Sequence, residues 1–240
     1  MPHAVQLAYR VLHADEDLEL FVFDLPDYYH NLYLGTAQEL EGGVGPPMTL
    51  KELRAIGFPV RGAEGMKDED LFQPCYVTLN MGDGKGVLLS QQVHESVLAA
   101  AQVNRGDLLG YGLPRPPRKV PWKTAYVDDF SASAEVKKTG KRGSSLAAAD
   151  AWRAKAAYAA IGLDPKAKKS AEGVRRMKVI GGAVDGVDGP VGAPVHVVGQ
   201  LMTLTTLVAA DGATTGEILQ RLLGGWICPP YVQERRAMLA

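Results

Sequence analysis

"WKTAYVDDFSAS", residues 122–133, carries two adjacent aspartates, Asp128 and Asp129, inside a run that otherwise favours a strand. Trp122, Tyr126, Val127 and Phe130 suit a pleated, half-buried surface, and Thr and Ser fill much of the rest. Two carboxylates side by side repel each other. Either they shape a hairpin turn, where Asp is common, or they hold something positive. A third acid gives weight to the second alternative. Asp24 closes the apolar run of "LELFVFDL" (18–25), so a strand-end aspartate and a hairpin-tip pair are candidates to share one cation site. Hard divalent ions such as Mg2+ take carboxylate oxygens and keep water and substrate phosphate as further ligands. Two such ions, about 3.5–4 Å apart, stabilise both the attacking and the leaving oxygen of a phosphoryl transfer.

Charge is distributed to match. The net charge is −1, yet residues 1–100 hold 6 Lys/Arg against 15 Asp/Glu, residues 101–180 hold 17 against 7, and residues 181–240 hold 3 against 5. The basic middle includes "RPPRK" (115–119), "KKTGKR" (137–142), "KAKK" (166–169) and "RRMK" (175–178). Such a zone attracts a polyanion locally, although basic runs are more often solvated loops. Hydrophobic residues make up 46% of 240, enough for a packed core of one large or two small domains. No apolar run reaches the roughly 18 residues that a membrane span requires, and the first residues lack the basic-then-apolar pattern of a secretory signal. Cys75 and Cys228 stand in no metal-binding spacing, so an intracellular, reducing location is expected.

Along the chain, 18–25 reads as a buried strand stopped by Pro26. "DYYHNLYL" reads as the first turns of a helix with Asp27 as N-cap. Residues 36–73 are rich in Gly and Pro, but Thr49 and Glu52 form a capping box ahead of Leu50, Leu53 and Ile56. "CYVTLNM" (75–81) predicts a second strand. A helix from about 88 follows, with Leu89, Val93, Val97 and Ala101 as its apolar stripe. Residues 110–121 hold too many prolines for a helix. Ser144 or Ser145 caps an Ala-rich helix with the stripe Trp152, Ala156, Ala159 and Leu163, ended by Gly162. Residues 175–186 read as a strand or hairpin, and "LMTLTTLVAA" is ambiguous. Residues 214–225 read as a helix boxed by Thr214 and Glu217 and closed by Gly224 and Gly225. Strands and helices alternate, which places both in one core.

These segments, in this order, resemble the palm motifs of reverse transcriptases. "FVFDLPDYY" is similar to the first: a strand, an Asp, and an aromatic residue five positions on. "YVDDF" (126–130) is similar to the aromatic-x-Asp-Asp box. "LNMGDGKGVLLSQQVH" resembles the Gly-containing turn and helix of gypsy-type retrotransposon enzymes. "GLDPKAKKS" resembles a Gly-Leu pair ahead of a Lys, and "MKVIGGAVDGVDG" the following hydrophobic hairpin. "GEILQRLLGGWICPPYVQERR" resembles the start of a thumb. The resemblance covers about residues 15–240.

What it implies is an α+β right-hand polymerase palm: an antiparallel sheet with helices on one face, truncated fingers and the start of a thumb. Residues 1–35 and 74–199 would form the palm, 36–73 a residual fingers element and 200–240 the thumb. The implied activity is RNA-directed DNA polymerase, the nucleotidyltransferase of a retroelement. It would use two Mg2+, with Mn2+ as a substitute, and would bind an RNA or DNA template-primer and a dNTP. Asp24 and Asp128 would bind both ions, with Asp129 assisting. The backbone of Leu25 would meet a metal or the phosphates. Tyr29 would lie under the sugar, Met81 would pack on a base, and Gly82 would allow close backbone approach. Lys169 would stand near the leaving pyrophosphate. Met81 departs from the usual Gln or Phe, and Ser170 from a frequent Cys. Only about 20 residues precede Asp24, where the family has a long fingers segment, so the resemblance implies a fragment, a degenerate copy, or a subunit whose fingers another chain or segment supplies.

Two other readings stand beside this one. A catalytically inactive remnant would keep the palm fold and at most bind nucleic acid. An unrelated nucleotide-binding protein would use the Gly-rich turn "GDGKG" to cradle phosphate, although Gly82, Gly84 and Gly86 match neither GxGxxG nor a Walker loop. Individually, Tyr29 reads equally as a core residue, "KAKKS" as a solvated loop, and His94 as a core or surface residue. His3, His13, His30 and His196 show no ligand spacing.

Overall fold

A computed structural model describes residues 4–35, 42–60, 62–103, 105–110, 112–189 and 191–227. In chain order its strands and helices are β1 (Glu16–Asp24), β2 (Met48–Thr49), α1 (Leu50–Ala55), β3 (Leu71–Phe72), α2 (Gly86–Ala100), β4 (Trp122–Tyr126), β5 (Asp129–Lys137), α3 (Leu146–Ala160), β6 (Ala171–Val174), β7 (Arg176–Val179), β8 (Gly182–Asp185), β9 (Val191–Gly192), α4 (Val195–Asp211) and α5 (Gly216–Ile227). The chain divides into two compact units, Asp27–Ser90 and the remainder. The expectations for His3, Cys228 and residues 228–240 lie outside the described residues.

The larger unit is built on an antiparallel sheet of order β4-β5-β1-β6. β1 is buried from Leu18 to Asp24, so its sequence reads as a nearly continuous apolar run. The pleat sends alternate residues to opposite faces. Phe23 stacks on Phe130, and Phe130 meets Tyr158 of α3 edge-on, on one face. Leu18, Leu20 and Val22 join Trp122, Val179, Val184 and Val191 in the core on the other. Asp24 shares the parity of this second face. A second antiparallel sheet, β7-β8-β9, supplies three of those valines. Gly186 links it to β1: its carbonyl accepts from Leu18 N–H at 2.7 Å, and a Cβ there would lie 2.4 Å from Leu18 O. Only glycine permits that approach.

The charged groups buried in this unit are paired, as desolvation requires. Glu19, fully buried, accepts from Gly143 N–H (2.8 Å) and Ser145 Oγ (2.6 Å). Lys123 Nζ reaches Asp150 at 2.7 Å and Asp107 at 2.9 Å. Arg10 pairs with Glu135 at 2.5 Å and lies over the Trp122 ring.

Several expected elements differ. In α3 the buried residues are Ala147, Ala148, Asp150, Ala151, Ala154 and Tyr158, whereas Trp152 is half exposed. Small alanines, not the largest apolar side chain, mark the face that lies close to the sheet. Ser145 is the cap, accepting from Ala148 N–H, and Gly162 takes the left-handed conformation just past the end. "LMTLTTLVAA" lies within helix α4. α5 is capped by Thr215, which accepts from Ile218 N–H, and not by Thr214; it continues through Gly224 and Gly225 to Ile227. No helix among the described residues is long and apolar enough to cross a membrane.

In the smaller unit β2 and β3 pair as a short hairpin, and α1 begins with the full Thr49/Glu52 capping box. Asp27 is not a side-chain cap; it sits at φ 45° before a single 3-10 turn, Tyr28–Asn31. The strand expected at 75–81 is reduced to isolated bridges, Cys75 with Gly43 and Thr78 with Tyr33. Neither partner is part of a strand, so no ladder propagates from them.

Candidate active site

The aspartates at 24 and 129 are direct partners across β1 and β5, the last rung of that ladder. Beyond it, Leu25 N–H donates to Asp128 C=O at 2.9 Å, tying the end of β1 to the tip of the β4–β5 hairpin. Any contact from the Leu25 backbone outward therefore runs through its carbonyl. Lys166 N–H donates to Asp24 C=O at 2.9 Å, which brings the lysine loop alongside. Lys169 Nζ donates to Asp24 Oδ2 at 2.9 Å, and Lys166 Nζ stands 3.8 Å from Oδ1. Asp24 is 7% exposed, and its Oδ1 is a buried acceptor with no hydrogen-bond donor.

Two residues, Val127 and Asp128, make the hairpin turn between Tyr126 and Asp129. Val127 has φ 53°, a conformation that a β-branched residue rarely adopts. Helix α2 holds it there. Gln91 Oε1 accepts from Val127 N–H at 2.9 Å, and Gln91 Nε2 donates to Ala125 C=O at 2.9 Å. His94 Nδ1 lies 2.7 Å from Val127 C=O, and its Nε2 lies 2.6 Å from Tyr158 Oη. The expected stripe of α2 is thus mistaken. Leu89 and Val93 are exposed, while Ser90, Gln91, His94 and Leu98 are buried, because this face serves a turn as well as a core. Gln91 and His94 were the signal available in sequence: two polar residues three apart share a helix face.

The electrostatics follow from crowding. Burial pushes Asp129 up to about 6, and repulsion from Asp128 and Asp24 adds to it, with Lys169 and Lys178 opposing. Burial, and then the charge of Asp24, also raise Asp128. The hydrogen bond from Lys169 to Asp24 raises the lysine. Burial holds His94 down at about 4, so its ring is neutral. Asp24, Asp129, Thr124, Ser131, Lys169 and Lys178 line one cavity of about 410 Å³, closed on its apolar side by the β7–β8 hairpin at Ile180 and Gly181.

Among the described residues no three His, Cys, Asp or Glu side chains form a group that could hold a metal ion. The donor set nevertheless suits a hard cation: all oxygens, one of them the unsatisfied Asp24 Oδ1, amid carboxylates whose ionisation is disfavoured by their neighbours. Lysine ammonium groups supply the positive charge in this arrangement.

The remaining candidates lie in the smaller unit. Tyr29 Cε1 stands 3.4 Å from where a Cβ on Gly86 would be, so the ring rests against that glycine. Gly82 N–H donates to Asn80 Oδ1 at 3.1 Å, and Met81 is largely exposed. Gly82, Asn80, Asp83, Lys85, Tyr76 and Leu89 line a second cavity of about 410 Å³.

No protein-family model matches the chain, and no curated protein matches it. Solved structures do. A foamy viral protease-reverse transcriptase in complex with an RNA/DNA hybrid superposes with a TM-score of 0.53 at 12% identity, covering 94% of this chain and 22% of that one. A second structure of the foamy viral protease-reverse transcriptase, in complex with double-stranded DNA, gives 0.53 at 13% identity, covering 95% of this chain and 30% of that one. This chain therefore spans under a third of the length of those proteins. At such identity the likeness speaks for the fold: mixed α and β with antiparallel sheets, the chain has a reverse transcriptase-like fold.

Proposed function

We propose that this chain is the palm of an RNA-directed DNA polymerase of a retroelement, extending a primer 3′-hydroxyl with dNTPs on a nucleic-acid template. The observation that carries the reading is the rung joining Asp24 to Asp129, with Asp128 tied to Leu25 just beyond it. Asp24 and the Asp128–Asp129 pair, about a hundred residues apart in sequence, come to the same end of the neighbouring strands β1 and β5, beside lysines.

In this reading Asp24 and Asp128 hold Mg2+, or Mn2+ in its place, and Asp129 adds negative charge behind them. Bound there, the two ions would supply charge neutralisation at the attacking and leaving oxygens. The residues of the chain do the positioning. Lys169, exposed and donating to Asp24 Oδ2, would stand near the leaving pyrophosphate and screen its charge. The Leu25 carbonyl borders the same end. Tyr29 takes the sugar, Met81 the base, and Gly82 admits the backbone. The basic stretch 137–178 follows the template-primer phosphates, so binding weakens with salt. α4 and α5 would open the thumb.

Primer extension with Mg2+ or Mn2+ on an RNA template tests this. Extension by the wild-type chain that vanishes in Asp128→Ala supports the polymerase. Salt-dependent template binding without extension in either metal supports an inactive remnant.

A further inference from the structure

Among the buried titratable groups that this chemistry leaves unused is His94. His94 is fully buried, and so is Tyr158. A carbonyl only accepts, so Val127 C=O at 2.7 Å requires the His94 proton on Nδ1. Nε2 of the neutral ring is then an acceptor, and Tyr158 O–H donates to it across 2.6 Å. Donation runs in one direction, from the α3 hydroxyl through the α2 imidazole to the carbonyl of the strained turn. Edge-on packing of the two rings, with centroids 5.5 Å apart, fixes the imidazole further.

The carbonyl of Val127 and the N–H of Asp128 belong to a single planar peptide. A group that fixes one fixes the other, and so sets where the Asp128 side chain leaves the backbone. Val127 does not hold this geometry by itself: φ 53° on a β-branched residue persists only where the surroundings enforce it. Gln91 engages the peptide before Val127, and His94 the peptide after it. We propose that His94, oriented by Tyr158, is a positioning residue that sets the Val127–Asp128 peptide plane and with it the direction of the Asp128 carboxylate. The consequence for catalysis rests on the polymerase reading; the consequence for the turn does not.

The test compares three variants of the full chain. His94→Asn keeps an amide donor where Nδ1 stood, His94→Leu removes it, and Tyr158→Phe removes only the hydroxyl that orients the ring. Backbone amide resonances of Val127, Asp128 and Asp129 report the turn, and primer extension with Mg2+ reports the chemistry. The expected result is that His94→Leu shifts these three resonances and lowers kcat by about 100-fold, the cost typical of an ångström-scale misplacement, with KM for the template-primer within about 3-fold. His94→Asn keeps the turn resonances and most of kcat. Tyr158→Phe falls between them and stands in should His94→Leu fail to fold. The proposal is overturned if His94→Leu, or Tyr158→Phe in its place, leaves the three resonances unmoved. It is equally overturned if His94→Asn loses as much as His94→Leu for the same drop in melting temperature. Should the wild-type chain extend no primer, the polymerase reading falls, and the resonances alone decide the positioning.

Discussion

The hairpin tip that carries Asp128 and the tip at Ile180–Gly181, which lines the aspartate cavity, solve the same problem differently. Both are two-residue turns, Val127–Asp128 and Ile180–Gly181, and both place a β-branched residue first with positive φ, 53° and 46°. At the second tip Gly181 follows at φ 80°, so both central residues are left-handed, the pattern in which Gly at the second position is favoured. At the first tip Asp128 keeps an ordinary negative φ, a pattern that favours Gly where Val127 stands. Val127 is instead clamped by Gln91 and His94. At the second tip Gly181 supplies suitable turn chemistry at one of the two left-handed positions. A tip without it must be held by neighbours, and its geometry then answers to them.

The largest effect expected is at the first tip and its rung. On the polymerase reading, Asp24→Asn and Asp128→Asn should each lower primer extension by at least about 1,000-fold while leaving salt-dependent template binding in place, since the lost group would act on charge in the transition state. Extension that survived Asp128→Asn would reduce that tip to a mere turn, like its counterpart.

Next comes the clamp. The native His94 ring titrates near 4 against 6.5 unfolded. Between those values the unfolded chain binds more protons, so stability falls as pH drops from about 6.5 to about 4 and does not fall further below that. The loss should reach about 3 kcal/mol, read as the difference in urea unfolding between the wild type and His94→Asn. The subtraction matters because Asp129, with its raised value, acts with the opposite sign between about 3.8 and 6. A flat difference would mean that the ring is not the buried neutral group described.

A smaller effect is predicted at the rung itself. Asp129→Asn removes a carboxylate whose charge is opposed by burial and by two neighbours, so without metal it should stabilise the chain at pH 7 by about 1 kcal/mol. A lower melting temperature would contradict it. The smallest is at the second tip. Ile180→Asn gains turn chemistry and loses part of the apolar cover on the core, and the two should cancel to within about 0.5 kcal/mol. A change above about 2 kcal/mol would show that this tip too is held from outside.

Strands and the hairpin around Asp128 were legible because their signals are local: β-branched and aromatic runs, a proline stop, a two-residue turn. In sequence Asp24 and the Asp128–Asp129 pair are only candidates to share one cation site; that Asp24 stands opposite Asp129 is visible in the backbone alone. The helices misled. Periodicity reads hydrophobicity, and the buried side of α2 carries Gln91 and His94 because the turn's peptide groups need partners. In α3 the eye goes to Trp152, yet alanines face inward, where close approach to the sheet leaves no room for bulk. Pairs such as Glu19 with Ser145, or Lys123 with Asp150, join residues far apart in sequence and leave no one-dimensional trace. The run 75–81 looks like a strand and lacks only neighbours, which a sequence does not display.

The central place of β1 has a consequence for biosynthesis. Its partners, β5 and β6, follow it by roughly a hundred residues or more, so at about 5–20 residues per second the nascent segment waits on the order of 5–20 seconds before either emerges. During that interval a nonamer of five apolar and four acidic residues has both edges unpaired, a substrate for holdase chaperones. Codon usage between the two segments would then tune yield without altering a single side chain.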